Sequence, residues 1–175
     1  MPDLLSHALL AYILATVASW RFEWITRPYV TVAMAGAFIP DMTKVMLVFP
    51  SARVEQLLGI PFDWIGLHTT GAALCSVLVG VLLVAKTERA RVFLLLAVGA
   101  ASHLTADAFL LKPTGVSYPV LWPLTRIHPP TPGLYLSTDV EPAIVLGAVA
   151  LVVYAVTQSR NRRRRSSQSS SEETA

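Results

Sequence analysis

His103 and Asp107 stand four residues apart in the stretch ASHLTADAFL, residues 101–110, at the end of a segment otherwise apolar enough to lie in lipid. On a helix such a pair shares one face, about 6 Å apart along the axis, so an imidazole and a carboxylate here can hold one cation between them. Three more ionisable residues have equally apolar surroundings: His7 in SHALLAY, Asp41 in FIPDMTK and His68 in GLHTT. A charged side chain inside a membrane span costs about 2.5–3.5 kcal/mol on insertion scales and as a rule faces a bundle interior or a water-filled cavity. Any one of the five alone reads as an interhelical hydrogen-bonding residue. Five at one depth read as a metal or proton-handling site. The donors are nitrogen and oxygen without thiolate, which suits zinc first, with manganese or iron as alternatives, better than a closed structural zinc site.

Apolar stretches of the length that crosses a bilayer, about 17–25 residues, lie at about 4–20, 29–49, 64–85, 91–111 and 140–157. With 54% hydrophobic and 14% charged residues among 175, the expected fold is all-α. It is an integral membrane bundle of about five transmembrane helices, four carrying the site plus a C-terminal one, over residues 1–157. The first and third spans begin on the side where the second and fourth end, so all five ionisable residues converge on one leaflet. Pro40 removes a backbone donor and bends the helix beside Asp41.

The first span lacks the basic region and cleavage site of a removable signal peptide, so it is read as retained. Alternating spans collect ten of the fourteen Lys and Arg residues on one side, among them Arg21, Arg27, Lys86 and Arg162 to Arg165, against Lys44, Arg53, Lys112 and Arg126 on the other. That bias places the N-terminus outside and the C-terminus in the cytoplasm of a cell in whose inner, or plasma, membrane the chain is embedded. Residues 158–175 are basic, then Ser-rich and acidic, and read as a disordered cytoplasmic tail whose arginines meet anionic headgroups. The partner so implied is membrane lipid, not nucleic acid. Cys75 is the single cysteine, which excludes an internal disulfide and a thiolate metal site and leaves it as a small apolar packing residue. Residues 50–63 read as an amphipathic turn. Residues 112–139 hold half of the twelve prolines and read as irregular loop.

At the outer mouth stand His128 in that loop and Asp63, Asp139 and Glu141 beside the starts of the third and fifth spans. Each reads either as a solvated loop residue or as a ligand, a base for water, or a carboxylate that orients a histidine.

The order of His7, then Pro40-Asp41, then His68, then Ser102-His103 with Asp107 four residues on, and Trp122-Pro123 downstream, resembles the membrane-bound metal-dependent hydrolases described as LexA-binding and inner-membrane-associated, over about residues 1–125. The resemblance implies that His7, Asp41, His68, His103 and Asp107 hold one or two divalent ions, which lower the pKa of a bound water toward about 7. Thr43 stands where that family has a second aspartate, and Asp63-Trp64 where it has a His-Arg pair, so Asp63 is the replacement ligand or base. Ligand order is also similar, more loosely, to the helical zinc-dependent phospholipase C and P1-type nuclease group, which implies His128 with Glu141 or Asp139 as further ligands. The function so implied is a metal-dependent hydrolase acting on a lipid or phosphodiester-type amphiphile through a metal-activated water, with Asp63 or Glu141 accepting the proton. Two rivals stand beside it. One is a non-catalytic scaffold that binds a regulator and uses the polar cluster to lock its bundle. The other is a proton or cation transporter, which needs ionisable residues at several depths, whereas the inner halves of the spans carry none.

Overall fold

Small residues decide how closely the helices approach. In the computed structural model, which describes residues 2–172, α2 (Arg27–Phe38) crosses α5 (Arg89–Asp107) at Gly36 and Gly99. A Cβ at Gly36 would lie 2.3 Å from the Leu96 carbonyl oxygen, and one at Gly99 2.0 Å from that of Ala33, so the two backbones touch. Glycine and alanine at crossings allow the close van der Waals packing that holds helices together where surrounding lipid is as apolar as they are. Beside them lies α1 (Pro2–Ser19), against α2, α5 and α6 (Glu141–Glu172), with Ala8, Ala11 and Ala15 buried at three- and four-residue spacing. On the other flank, α4 (Thr70–Leu82) packs Ala73, Val77 and Val81 against Val92, Leu96, Ala100 and Leu104 of α5.

The all-helical class agrees with expectation, and the five expected spans resolve into three kinds of segment. α5 and the Glu141–Arg164 part of α6 are each long and apolar enough to cross a membrane. The 29–49 stretch is α2 followed by a 3₁₀ segment, Pro40–Leu47, bent from it by 53°; proline at the junction cannot continue the ladder of backbone bonds. The 64–85 stretch is likewise divided, into a 3₁₀ segment Trp64–His68 and α4, because Thr69 is extended and its hydroxyl caps the new helix at Ala72 N. α4 is therefore apolar but short, as is the Leu4–Ser19 part of α1.

Residues 50–63 contain α3 (Ser51–Leu58), amphipathic as expected, with Val54 buried and Leu57 and Leu58 outward. It ends at Gly59, whose φ of 67° is the left-handed conformation that closes helices. The proline-rich loop is irregular but tied down. Val120 and Trp122 carbonyls accept from the N–H groups of Thr70 and Gly71, both at 2.8 Å, and Tyr135 Oη donates to Ala106 O. It thus satisfies the first turn of α4 and covers the end of α5.

α6 runs through Glu172, across most of the stretch expected to be disordered; residues 173–175 lie outside the described ones. No glycine or proline follows Gly147, and arginine and glutamine are good helix formers, so no local breaker stops it. Ala150 and Val153 pack inward, and Trp20 Nε1 donates to Thr157 Oγ1 at 2.8 Å, which fastens α6 to α1. Cys75 is exposed, not packed, because it faces away from the Ala73, Val77 and Val81 stripe that meets α5.

Candidate functional site

In a 3₁₀ turn the Ala37 carbonyl would accept from residue 40, and Pro40 has no N–H to give. His103 Nδ1 takes that place, donating to Ala37 O at 2.7 Å. One turn before it, Gly99 holds α5 against α2, so the close crossing is what brings the ring to the carbonyl. The Pro40 carbonyl in turn accepts from His68 Nδ1 at 3.0 Å. A carbonyl oxygen only accepts, so both rings carry a proton on Nδ1, and in the neutral form each turns an unprotonated Nε2 inward.

Those two Nε2 atoms stand 3.3 Å apart. Asp107 Oδ2 lies 2.6 Å from that of His68 and 3.7 Å from that of His103, and Asp107 Oδ1 lies 3.1 Å from His7 Nε2. The His7 ring stacks on that of His103 with centroids 3.8 Å apart. Asp41 Oδ1 is 4.0 Å from His103 Nε2, and Asp41 Oδ2 is buried without a hydrogen-bond partner among the described residues. All five residues are buried, His103 and His7 to 0% and 1% exposure. The N-terminal ends of α1 and α4 and the C-terminal ends of α2 and α5 deliver them to one end of the bundle, as the alternation of spans requires.

The spacing suits a cation. Two ligands at about 2.0–2.2 Å from a tetrahedral ion stand about 3.3–3.6 Å apart, and the contacts of 3.1, 3.3 and 3.7 Å lie around that value. His7, His103 and Asp107 offer ligand atoms that all lie within 4.8 Å of one another. The 2.6 Å contact of His68 with Asp107 is instead a charge-assisted hydrogen-bond distance, closer than two ligands of one ion.

The other four candidates lie elsewhere. Asp63 is exposed and caps the 3₁₀ segment, accepting from Ile65 N at 2.9 Å. Glu141 is exposed at the start of α6. Asp139, with which it lines a small cavity, accepts from Leu136 N. His128 is exposed and donates from Nδ1 to Ser117 O at 2.9 Å. Their side chains engage local backbone or solvent, and none pairs with the five clustered residues.

Two participants were hidden in the sequence. Lys44 Nζ lies 2.8 Å from Asp41 Oδ1; as a residue counted for its charge it looked like a loop cation, although its i+3 spacing is one 3₁₀ turn. Tyr118, whose ring lies 5.1 Å from that of His68, comes from irregular loop and left no periodic signal. Lys112 Nζ stands 3.8 Å over the Tyr118 ring. Partial burial pushes the Lys112 ammonium below its ordinary pKa, against the opposing pull of the Asp107 charge.

Beside the cluster an apolar cavity of about 660 Å³ opens between α1, α5 and α6, lined at its polar edge by Ser6, His7 and Ser102 and elsewhere by residues such as Leu10, Phe109 and Leu146. A second, of about 570 Å³, lies between α4, α5 and the proline-rich loop.

No curated protein and no solved structure matches the chain. The family described as YdjM inner membrane protein matches residues 1–166, from α1 with its histidine to the basic stretch of α6, and the chain belongs to that family.

Proposed function

We propose that the protein is an integral-membrane, metal-dependent hydrolase acting on an amphiphile of lipid or phosphodiester type. One observation carries this reading: the Nε2 atoms of His68 and His103 face each other at 3.3 Å with their protons held on the far side of each ring, and a buried carboxylate lies against both. Acceptors gathered in this way repel unless a cation lies among them. His7, His103 and Asp107 form the core of the ligand set, with His68 joining as its contact to Asp107 opens. A divalent ion there, zinc first by donor type, supplies Lewis acidity that polarises a scissile oxygen and acidifies water.

The chain's own groups divide the remaining work. The Ala37 and Pro40 carbonyls fix the tautomer and orientation of two histidines, as outer-shell partners of ligating imidazoles do. Asp41, with its unpartnered Oδ2 beside the cluster, is the proton acceptor in place of Asp63 or Glu141. Lys44 holds the other oxygen of Asp41 and keeps it oriented. The cavity reaching His7 is lined mainly by apolar residues, which suits a substrate whose tail stays among α1, α5 and α6 while its head meets the histidines. With the N-terminus outside, this site faces the outer leaflet.

The short His68–Asp107 contact favours a second reading, in which a proton replaces the ion and the cluster locks a non-catalytic scaffold. Metal content by mass spectrometry separates the two, on detergent-purified wild type beside His103→Ala and Asp107→Ala. About one divalent ion per chain, lost in both folded variants, supports the hydrolase reading. Metal-free wild type from metal-replete neutral buffer overturns it in favour of the scaffold.

A further inference from the structure

Nine residues along α1 from His7, about 14 Å by helix rise, lies Thr16, at the opposite end of the bundle. It lines a cleft of about 580 Å³ enclosed by α1, α2 and α6. Thr16 is 5% exposed, and its hydroxyl has no hydrogen-bond partner among the described residues. Buried hydroxyls are nearly always satisfied, so a polar group belongs beside it.

The cleft supplies further groups for an anion. α2 begins here, with Thr26 at its N-cap making no side-chain capping bond; Pro28 has no N–H and Val30 N donates to Thr26 O, so the Arg27 and Tyr29 amides are left at the positive end of the helix dipole. Arg27, Arg160 and Arg164 line the same cleft against a single acid, Glu23. Arg160 lies over the Trp20 ring at 5.4 Å, and Arg164 Nη1 lies 3.4 Å from Glu23 Oε1. Arg27 is exposed at the mouth. The acid is thus already met by one arginine, and two guanidinium groups remain for a ligand. Basic pockets between membrane helices at the level of the headgroups suit anionic lipids, and Trp20 is of the type that marks that level.

We propose that this cleft binds the phosphate of an anionic phospholipid headgroup. The Thr16 hydroxyl and the Arg27 and Tyr29 amides of α2 donate to its oxygens, and the Arg27 and Arg160 guanidinium groups match its charge. The site is separate from the histidine cluster in position, ligand charge and helix ends.

The test titrates full-length protein in neutral detergent with short-chain phosphatidylglycerol, short-chain phosphatidylcholine and inorganic phosphate, with folding of each variant checked by circular dichroism. Phosphatidylglycerol is expected to bind more tightly than phosphatidylcholine. Arg27→Gln and Arg160→Gln each weaken it by about fivefold, the effect of one basic residue near a headgroup surface. Thr16→Val weakens it without changing the charge. Equal binding of the two lipids, or phosphatidylglycerol binding untouched by both arginine variants, overturns the proposal. Inorganic phosphate binding as tightly as the lipid overturns the lipid source and makes this a site for a soluble anion.

Discussion

Replacing Gly99 with alanine tests whether helix packing positions the site. A Cβ at Gly99 would lie 2.0 Å from Ala33 O and 2.7 Å from Ala37 N. Ordinary carbon to oxygen approach is about 3.3–3.6 Å, so α2 and α5 must separate by on the order of 1 Å. His103 lies one turn beyond, and its Nδ1 reaches Ala37 O at 2.7 Å. The same separation carries that contact to about 3.7 Å, beyond a hydrogen bond. Overpacking costs about 1–3 kcal/mol and the lost bond about 0.5–1.5 kcal/mol, a total on the order of 2–4 kcal/mol. The ring, released from the carbonyl, no longer has its proton fixed on Nδ1. Gly99→Ala should therefore lower both the unfolding midpoint in detergent and the metal content, although it touches no ligand. Gly147→Ala is the control, since a Cβ there meets nothing within 4 Å, and helix propensity makes it neutral or slightly stabilising. A Gly99→Ala protein with wild-type midpoint and wild-type metal content refutes the link between crossing and site.

Pro40→Ala restores an N–H that competes for the Ala37 carbonyl, and the loss of an outer-shell partner should weaken metal binding by about 10–100-fold in competition with a chelator. Lys44→Met releases the Asp41 carboxylate, held at 2.8 Å in the native chain; turnover of a lipid ester should fall while metal content, measured by mass spectrometry, stays at the wild-type level. Lys112 has a folded pKa below its ordinary 10.5, so the unfolded chain binds more protons between the two values and stability rises with pH across that alkaline window. Lys112→Gln should flatten that rise when the unfolding midpoint is followed against pH.

Much of the site was legible because membrane burial makes ionisable residues conspicuous. His7, Asp41, His68, His103 and Asp107 stand out against apolar neighbours, and alternation of helix direction is enough to collect them at one end. Helix boundaries were less legible. A run of apolar residues does not distinguish a straight span from α2 bent at Pro40, nor α4 from the 3₁₀ segment that precedes it. The loop residues left two readings open for another reason. Asp63 and His128 have the chemistry of ligands, but side-chain hydrogen bonds to nearby backbone occupy them, and only the folded loop reveals which backbone groups lie within reach. Gly36 and Gly99 gave no sign of their importance, since their contact joins residues 63 positions apart.

The balance of donors and acceptors supports the proposed ion over a simple lock. A polar lock between helices works by pairing each donor with an acceptor. Here the Ala37 and Pro40 carbonyls, on either side of the break after α2, draw the Nδ1 protons of His103 and His68 outward. What remains inside is Nε2 of each ring, both oxygens of Asp107, of which Oδ1 lies 3.1 Å from His7 Nε2, and the free oxygen of Asp41, with Lys44 committed to Asp41 Oδ1. A bundle that needed only cohesion would be better served by one of these histidines turned over, with its proton aimed at Asp107. Holding both rings the other way leaves a surplus of lone pairs that a single proton relieves only in part. The divalent ion proposed above would relieve several of them at once, and the break at Pro40 would then have a purpose beyond bending a helix.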